Sequence, residues 1–173
     1  MVIFETSVNS VSATQLQRFA RRAQSLARVK GEVDILISGN TRLRDLNRRF
    51  RRKSKPTDVL SFPRPSGGDI AISAEIARAN AQHYGHGLAD ELKILVLHGM
   101  LHLAGYDHES DNGLMARVET RLRSQLKLPA SLIDRAHSLG KSPQTKLAAT
   151  IAKNAKNPRR SAASGARRRR SAQ

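Results

Sequence analysis

The stretch Ile94-Leu-Val-Leu-His98-Gly-Met-Leu-His102-Leu-Ala-Gly105-Tyr-Asp-His108 holds the most apolar run of the chain and three of its six histidines. The run reads as a largely buried helix over Ala89 to Ala104. Two histidines four residues apart on a helix share one face, one turn apart. Both imidazoles can then reach one ion at roughly 2.0–2.1 Å. Gly105 follows three residues later, and a glycine there can take a left-handed conformation, end the helix and turn the chain. That turn can bring His108 back as a third ligand. Three protein ligands leave a fourth position for water, the open geometry of a catalytic zinc. The expectation is one zinc-type ion on His98, His102 and His108. His83 and His86 flank a Tyr-Gly turn and read as surface residues, and His137 has no partner pattern. The chain has no cysteine, so thiolate ligands and disulfides are excluded.

Outward from this helix the other elements fall in a simple order. Residues 1–8 read as a short strand. Ser12-Ala-Thr-Gln15 resembles a capping box, and Leu16, Phe19, Ala20, Ala23 and Leu26 follow at helical spacing. Glu32 to Ser38 is a strand, broken by Gly39-Asn40, and Thr41 to Arg49 is a helix. Arg51 to Lys55 forms an irregular basic stretch. Thr57 to Phe62 and Asp69 to Ser73 read as strands around a turn-rich loop, Pro63 to Gly68. A helix from Ala74 to His83 ends at Gly85 and Gly87. After the histidine segment come a helix over 112–127 and a short one over 130–138. The order β-α-β-α-β-β-α-α-α predicts an α+β (α/β-type) fold, with a small mixed sheet of about four strands packed with helices and the metal site on a helix-turn.

The chain is 173 residues long with a formal net charge of +17. Ten of its 31 basic residues and none of its 14 acidic ones lie in 141–173. That segment is small, polar and basic, without apolar period, and reads as a disordered basic tail behind a domain over 1–140. Such charge favours polyanions, with RNA, DNA and an acidic membrane surface as the choices. Aromatic residues make up only 3%, which argues against recognition built on stacked bases and for phosphate contacts. No secretory signal is visible, and the apolar run is too short to cross a bilayer, which needs about 20 apolar residues. A soluble, cytoplasmic protein is expected, without membrane or nucleotide cofactor.

The basic residues Arg51, Arg52, Lys53 and Lys55 precede Pro56-Thr-Asp-Val-Leu-Ser-Phe-Pro63. They read either as a solvated charge run or as a phosphate clamp beside the metal. Asp58 and Asp69 are candidates to orient the imidazoles as outer acceptors.

The histidine spacing matches the metzincin protease pattern H-E-x-x-H-x-x-G-x-x-H with one departure. Gly99 stands where the general-base Glu belongs, and a glycine cannot abstract a proton. The whole set of blocks instead resembles the YbeY family of bacterial endoribonucleases and rRNA maturation factors. Asn47 and Arg51 fit its N-x-x-[FY]-R approach, Lys55 to Pro63 its PTDVLSFP block, and Gly68-Asp-Ile70 its GDI strand. His98 to His108 fits its HGxLHLxGYDH signature, and Met115 and Glu119 the helix that follows. The resemblance covers roughly residues 35–128. It implies zinc at His98, His102 and His108, and catalytic roles centred on Arg51 and His98. It further implies RNA contacts around Arg51, Arg52, Lys53 and Lys55. The activity it implies is single-strand-specific cleavage in maturation of the 16S rRNA 3′ end, at the small ribosomal subunit. Two other readings stay open: an assembly factor with a structural zinc, and a metalloprotease. The basic tail lies outside the shared blocks and is expected to anchor electrostatically on rRNA, so that its removal flattens the salt dependence of RNA binding.

Overall fold

The computed structural model describes residues 1–129 apart from Asn9 and Glu109. Nine elements follow in the predicted order: β1 Val2–Phe4, α1 Ala13–Ala27, β2 Glu32–Ser38, α2 Asn40–Arg51, β3 Val59–Pro63, β4 Gly67–Ser73, α3 Ala74–Tyr84, α4 Leu88–Leu103 and α5 Leu114–Leu126. The expected helix over 130–138 and the tail over 141–173 lie outside the described residues.

The strands form one mixed sheet in the order β1-β2-β4-β3. β1, β2 and β4 run parallel, and β3 pairs antiparallel with β4. Alternation along the strands divides the sheet into two faces. Ile35, Ile37, Ile70 and Ile72 point to one face and join the main core with Leu16, Ala20 and Ala23 of α1 and Leu92, Val96 and Met100 of α4. Leu60, Phe62 and Ala71 point to the other and pack with Leu43 and Leu46 of α2. A crossover helix on each side of a parallel sheet is the general α/β solution to burying both faces. Every residue of α4 from Leu92 to Leu101 except Lys93 is buried, as its continuous apolar run requires.

Several boundaries differ from the sequence reading. The first strand is only three residues long. α2 begins at Asn40, because Glu75 of α3 accepts from the Asn40 backbone N–H at 3.1 Å and caps a helix whose own N-cap, Gly39, has no side chain. It also runs on through Arg51, so Arg51 is a helical residue and only the stretch after it is irregular. The turn between β3 and β4 shortens because Gly67 joins the ladder opposite Glu32. Gly67 has φ +87°, and a Cβ there would meet the Glu32 carbonyl oxygen at 1.8 Å.

Candidate metal centre and its basic approach

α4 ends at Leu103, and Gly105 takes φ +89°. The Gly105 N–H donates to the His102 carbonyl at 3.0 Å, and the Tyr106 N–H donates to Leu101 at 3.1 Å. This turn brings His108 beside the two helical histidines, as the spacing predicts. One nitrogen from each of His98, His102 and His108 lies within 4.8 Å of the other two. The ring centroids stand 4.7 to 5.3 Å apart. Exposure rises across the cluster, from His98 buried through His102 half-buried to His108 exposed. The centre therefore has a closed floor and an open mouth.

Two outer acceptors fix the ring orientations. His98 Nδ1 stands 3.3 Å from Glu119 Oε2, and His102 Nδ1 stands 3.0 Å from the Tyr106 carbonyl oxygen. A carbonyl only accepts, so its bond puts the His102 ring proton on Nδ1, and His98 takes the same tautomer when it donates to the Glu119 carboxyl oxygen. The Nε2 lone pairs then face inward, and those of His98 and His102 meet at 3.1 Å. Two lone pairs at that distance repel unless a cation stands between them. Nitrogens in a tetrahedral site with ~2.0–2.1 Å bonds are separated by roughly 3.3 Å, so the spacing and the donor set fit a first-row divalent ion. A proton is a poor substitute. Burial first, then the neighbouring His98 and His108, lower the His102 imidazole to about 4 against its usual 6.5. At neutral pH it is a free base, ready to ligate.

Asp58 and Asp69 do not serve as the outer acceptors. Asp58 accepts from its own segment, at Thr57 Oγ1 and the Val59 N–H. Asp69 pairs with Arg64 at 3.4 Å. The acceptor that the sequence reading missed is Glu119, 1% exposed on α5. Its signal was a carboxylate on the apolar stripe of an amphipathic helix, four residues after the buried Met115. Replacing Glu119 with glutamine should keep the domain folded and lower metal affinity about 10–100-fold, the usual cost of losing such a partner. Competition with a chromophoric chelator measures this, and an unchanged affinity would remove Glu119 from the centre.

His86 is also not the surface residue expected from sequence. Its Nε2 lies 2.6 Å from Glu91 Oε2, and its side chain is 10% exposed beside the fully buried Glu91. The pair lies near the start of α4 and joins no metal cluster among the described residues. His83 is exposed, as expected.

The basic approach is only partly gathered at the centre. Arg51 is the last residue of α2, and its cation is near enough to oppose protonation of His102. Arg52 follows with φ 57° and closes the helix with its own N–H. Arg52, Lys53 and Lys55 are exposed, and no hydrogen bond joins them to the imidazoles among the described residues. The loop is nevertheless shaped from inside. Asn47, 4% exposed, donates from Nδ2 to the Lys55 carbonyl at 2.7 Å. That bond folds the basic stretch back along α2 and toward β3.

Comparison with known proteins agrees with this architecture. Residues 3–127 match the family described as Endoribonuclease YbeY. The chain is 52% identical over 138 residues to the Endoribonuclease YbeY of Koribacter versatilis, covering 78% of this chain and 91% of that relative. It is 48% identical over 139 residues to that of Solibacter usitatus, covering 79% and 95%. Among solved structures it resembles the solution structure of TM1509 from Thermotoga maritima, with a TM-score of 0.54 and 27% identity over 73% of this chain and 89% of that one. With the ordered motifs, the three-histidine turn and near full-length relatives all in agreement, the chain belongs to the endoribonuclease YbeY family.

Proposed function

We propose that this chain is a zinc-dependent endoribonuclease of the cytoplasm. It cleaves single-stranded RNA and acts in maturation of the 16S rRNA 3′ end at the small ribosomal subunit. The observation that carries the reading is the cluster of three imidazoles whose ligand nitrogens lie within 4.8 Å of one another, with the Arg51 cation weighing on the charge of His102. The relatives' name supports RNA as the substrate, and the charge of +17 supports a polyanion. Among the described residues no helix is long and apolar enough to cross a membrane.

His98, His102 and His108 would hold the ion, with water at its open position. When bound, the ion supplies Lewis acidity toward a phosphoryl oxygen and lowers the pKa of its water toward about 7. Glu119 and the Tyr106 carbonyl keep two of the imidazoles aimed and in the ligating tautomer. Arg51 offers a planar fork for a phosphodiester, and its charge stabilises the negative charge that develops there. The ribose 2′-OH is an alternative nucleophile to water. A 2′,3′-cyclic phosphate end would identify that route, and its absence would favour direct hydrolysis.

The decisive comparison is wild type against Arg51→Ala, both folded, equally metal-loaded and tested on labelled single-stranded RNA. Arg51→Ala should keep its metal and lose about 10²–10³ in rate, as removal of one charge-stabilising donor typically does. Equal cleavage by both preparations would point to a contaminating nuclease. Tight RNA binding by the wild type without any cleavage would shift the reading to an assembly factor with a structural zinc.

A further inference from the structure

Four large apolar side chains are exposed among the described residues: Met1, Ile3, Phe50 and Leu114. Single exposed apolar residues are ordinary on a protein surface. Phe50 differs in its surroundings. It is the aromatic one of the four, it is 57% exposed, and it directly precedes Arg51. Its ring is also held in place. Phe62 of β3 meets it at 5.0 Å with the ring planes at 61°, and the Arg49 guanidinium lies over one face, 5.4 Å from the centroid, so a base would stack on the other. A ring fixed in this way loses little freedom when something stacks on it.

The charge around this ring selects the occupant. α2 carries Arg42, Arg44, Arg48, Arg49 and Arg51 against a single acid, Asp45, and Arg52, Lys53 and Lys55 follow. Salt bridging removes little of this, since Arg48 meets Asp45 only at 3.9 Å and both are exposed. An apolar protein segment would have to cover several exposed cations to reach the ring. A polyanion with flat apolar faces meets both demands at once, because its phosphates take the arginines and a base takes the ring.

Resting on the endoribonuclease reading above, we propose that Phe50, braced by Phe62 and Arg49, is a stacking platform for one unpaired base of the RNA strand beside the metal centre. A base inside a duplex has its faces covered by its neighbours and cannot lie on this ring. The platform therefore favours single strands through shape rather than sequence. The scarcity of aromatic residues points to phosphate contacts for the protein as a whole, but one placed ring suffices for one base.

The chain contains no tryptophan, so Phe50→Trp gives a fluorophore found nowhere else in the protein. Short oligouridine should quench its emission, and an abasic ribose-phosphate oligomer of equal charge should not. In anisotropy titrations Phe50→Leu should bind oligouridine about tenfold more weakly than wild type, the loss of one stacked base. Phe50→Trp should restore the affinity, and both variants should bind the abasic oligomer like wild type. Equal oligouridine affinity in Phe50→Leu and wild type would overturn the platform and leave this face to a protein partner. Equal quenching by the abasic oligomer would also overturn it. Failure of wild type to bind any RNA would sink the ribonuclease reading itself, which the first two outcomes leave standing.

Discussion

Substituting His102 with alanine should abolish both metal binding and RNA cleavage and leave the domain folded. His102 has Nε2 3.1 Å from His98 and its ring within reach of His108. Without it, one buried and one exposed imidazole remain, and two nitrogens make a poor site for a divalent ion. Metal affinity should fall more than about 100-fold, beyond the 10–100-fold expected for an outer partner such as Glu119. The fold should survive because His102 is only half-buried in the last turn of α4, and alanine is the best helix former. RNA binding should persist, since the arginines lie on α2 and in the loop after it. Elemental analysis, a melting curve and a cleavage assay on one preparation test all three statements. Retained metal with retained cleavage would place the centre elsewhere. Unfolding of the variant would assign the metal a structural role and favour the assembly-factor reading.

The clearest sequence signals were those with a period or a fixed spacing. The three histidines and Gly105 are local in the chain, and a helix turn with a left-handed glycine has one outcome, so their convergence could be read directly. The order of the elements was legible because the strands alternate and the helices carry apolar stripes. What depended on distant residues was not legible. The start of α2 is set by Glu75 thirty-five residues away, and the His98 acceptor comes from α5. Asp58 and Asp69 lie within the quoted motif blocks, yet local bonds and Arg64 consume them. His86 looked exposed because it lies in a turn between glycines, but the buried Glu91 draws it inward. Charge shows that the surface is basic, but it does not show which cation reaches the histidines. The Arg51 charge, on the last residue of α2, adds to those that oppose protonation of His102.

Changing Gly99 to glutamate would restore the acid that the protease pattern carries between its two helical histidines. The expected product is a destabilised protein with no peptidase activity. A Cβ at Gly99 would meet Ile70 Cδ1 and Cγ2, each at 2.9 Å. Ile70 is 1% exposed in the middle of β4, hydrogen-bonded between β2 and β3. Its Cγ2 is attached to Cβ and cannot swing away alone. Gly99→Ala should therefore cost about 1–3 kcal/mol from overpacking, partly offset by the ~1 kcal/mol that alanine gains over glycine in a helix. Gly99→Glu starts a carboxylate from a Cβ that already overlaps the buried Ile70 of the sheet. A penalty of about 4 kcal/mol or more follows from burying that charge or protonating it. Urea unfolding of the three proteins measures the series, and an unfolded-casein assay checks for peptidase activity. A Gly99→Glu protein as stable as wild type would show that α4 and β4 have room for a base, and would reopen the protease reading. The contact of α4 with β4, supported by Ser61 Oγ donating to the Gly99 carbonyl at 3.4 Å, occupies the space that such a base would need.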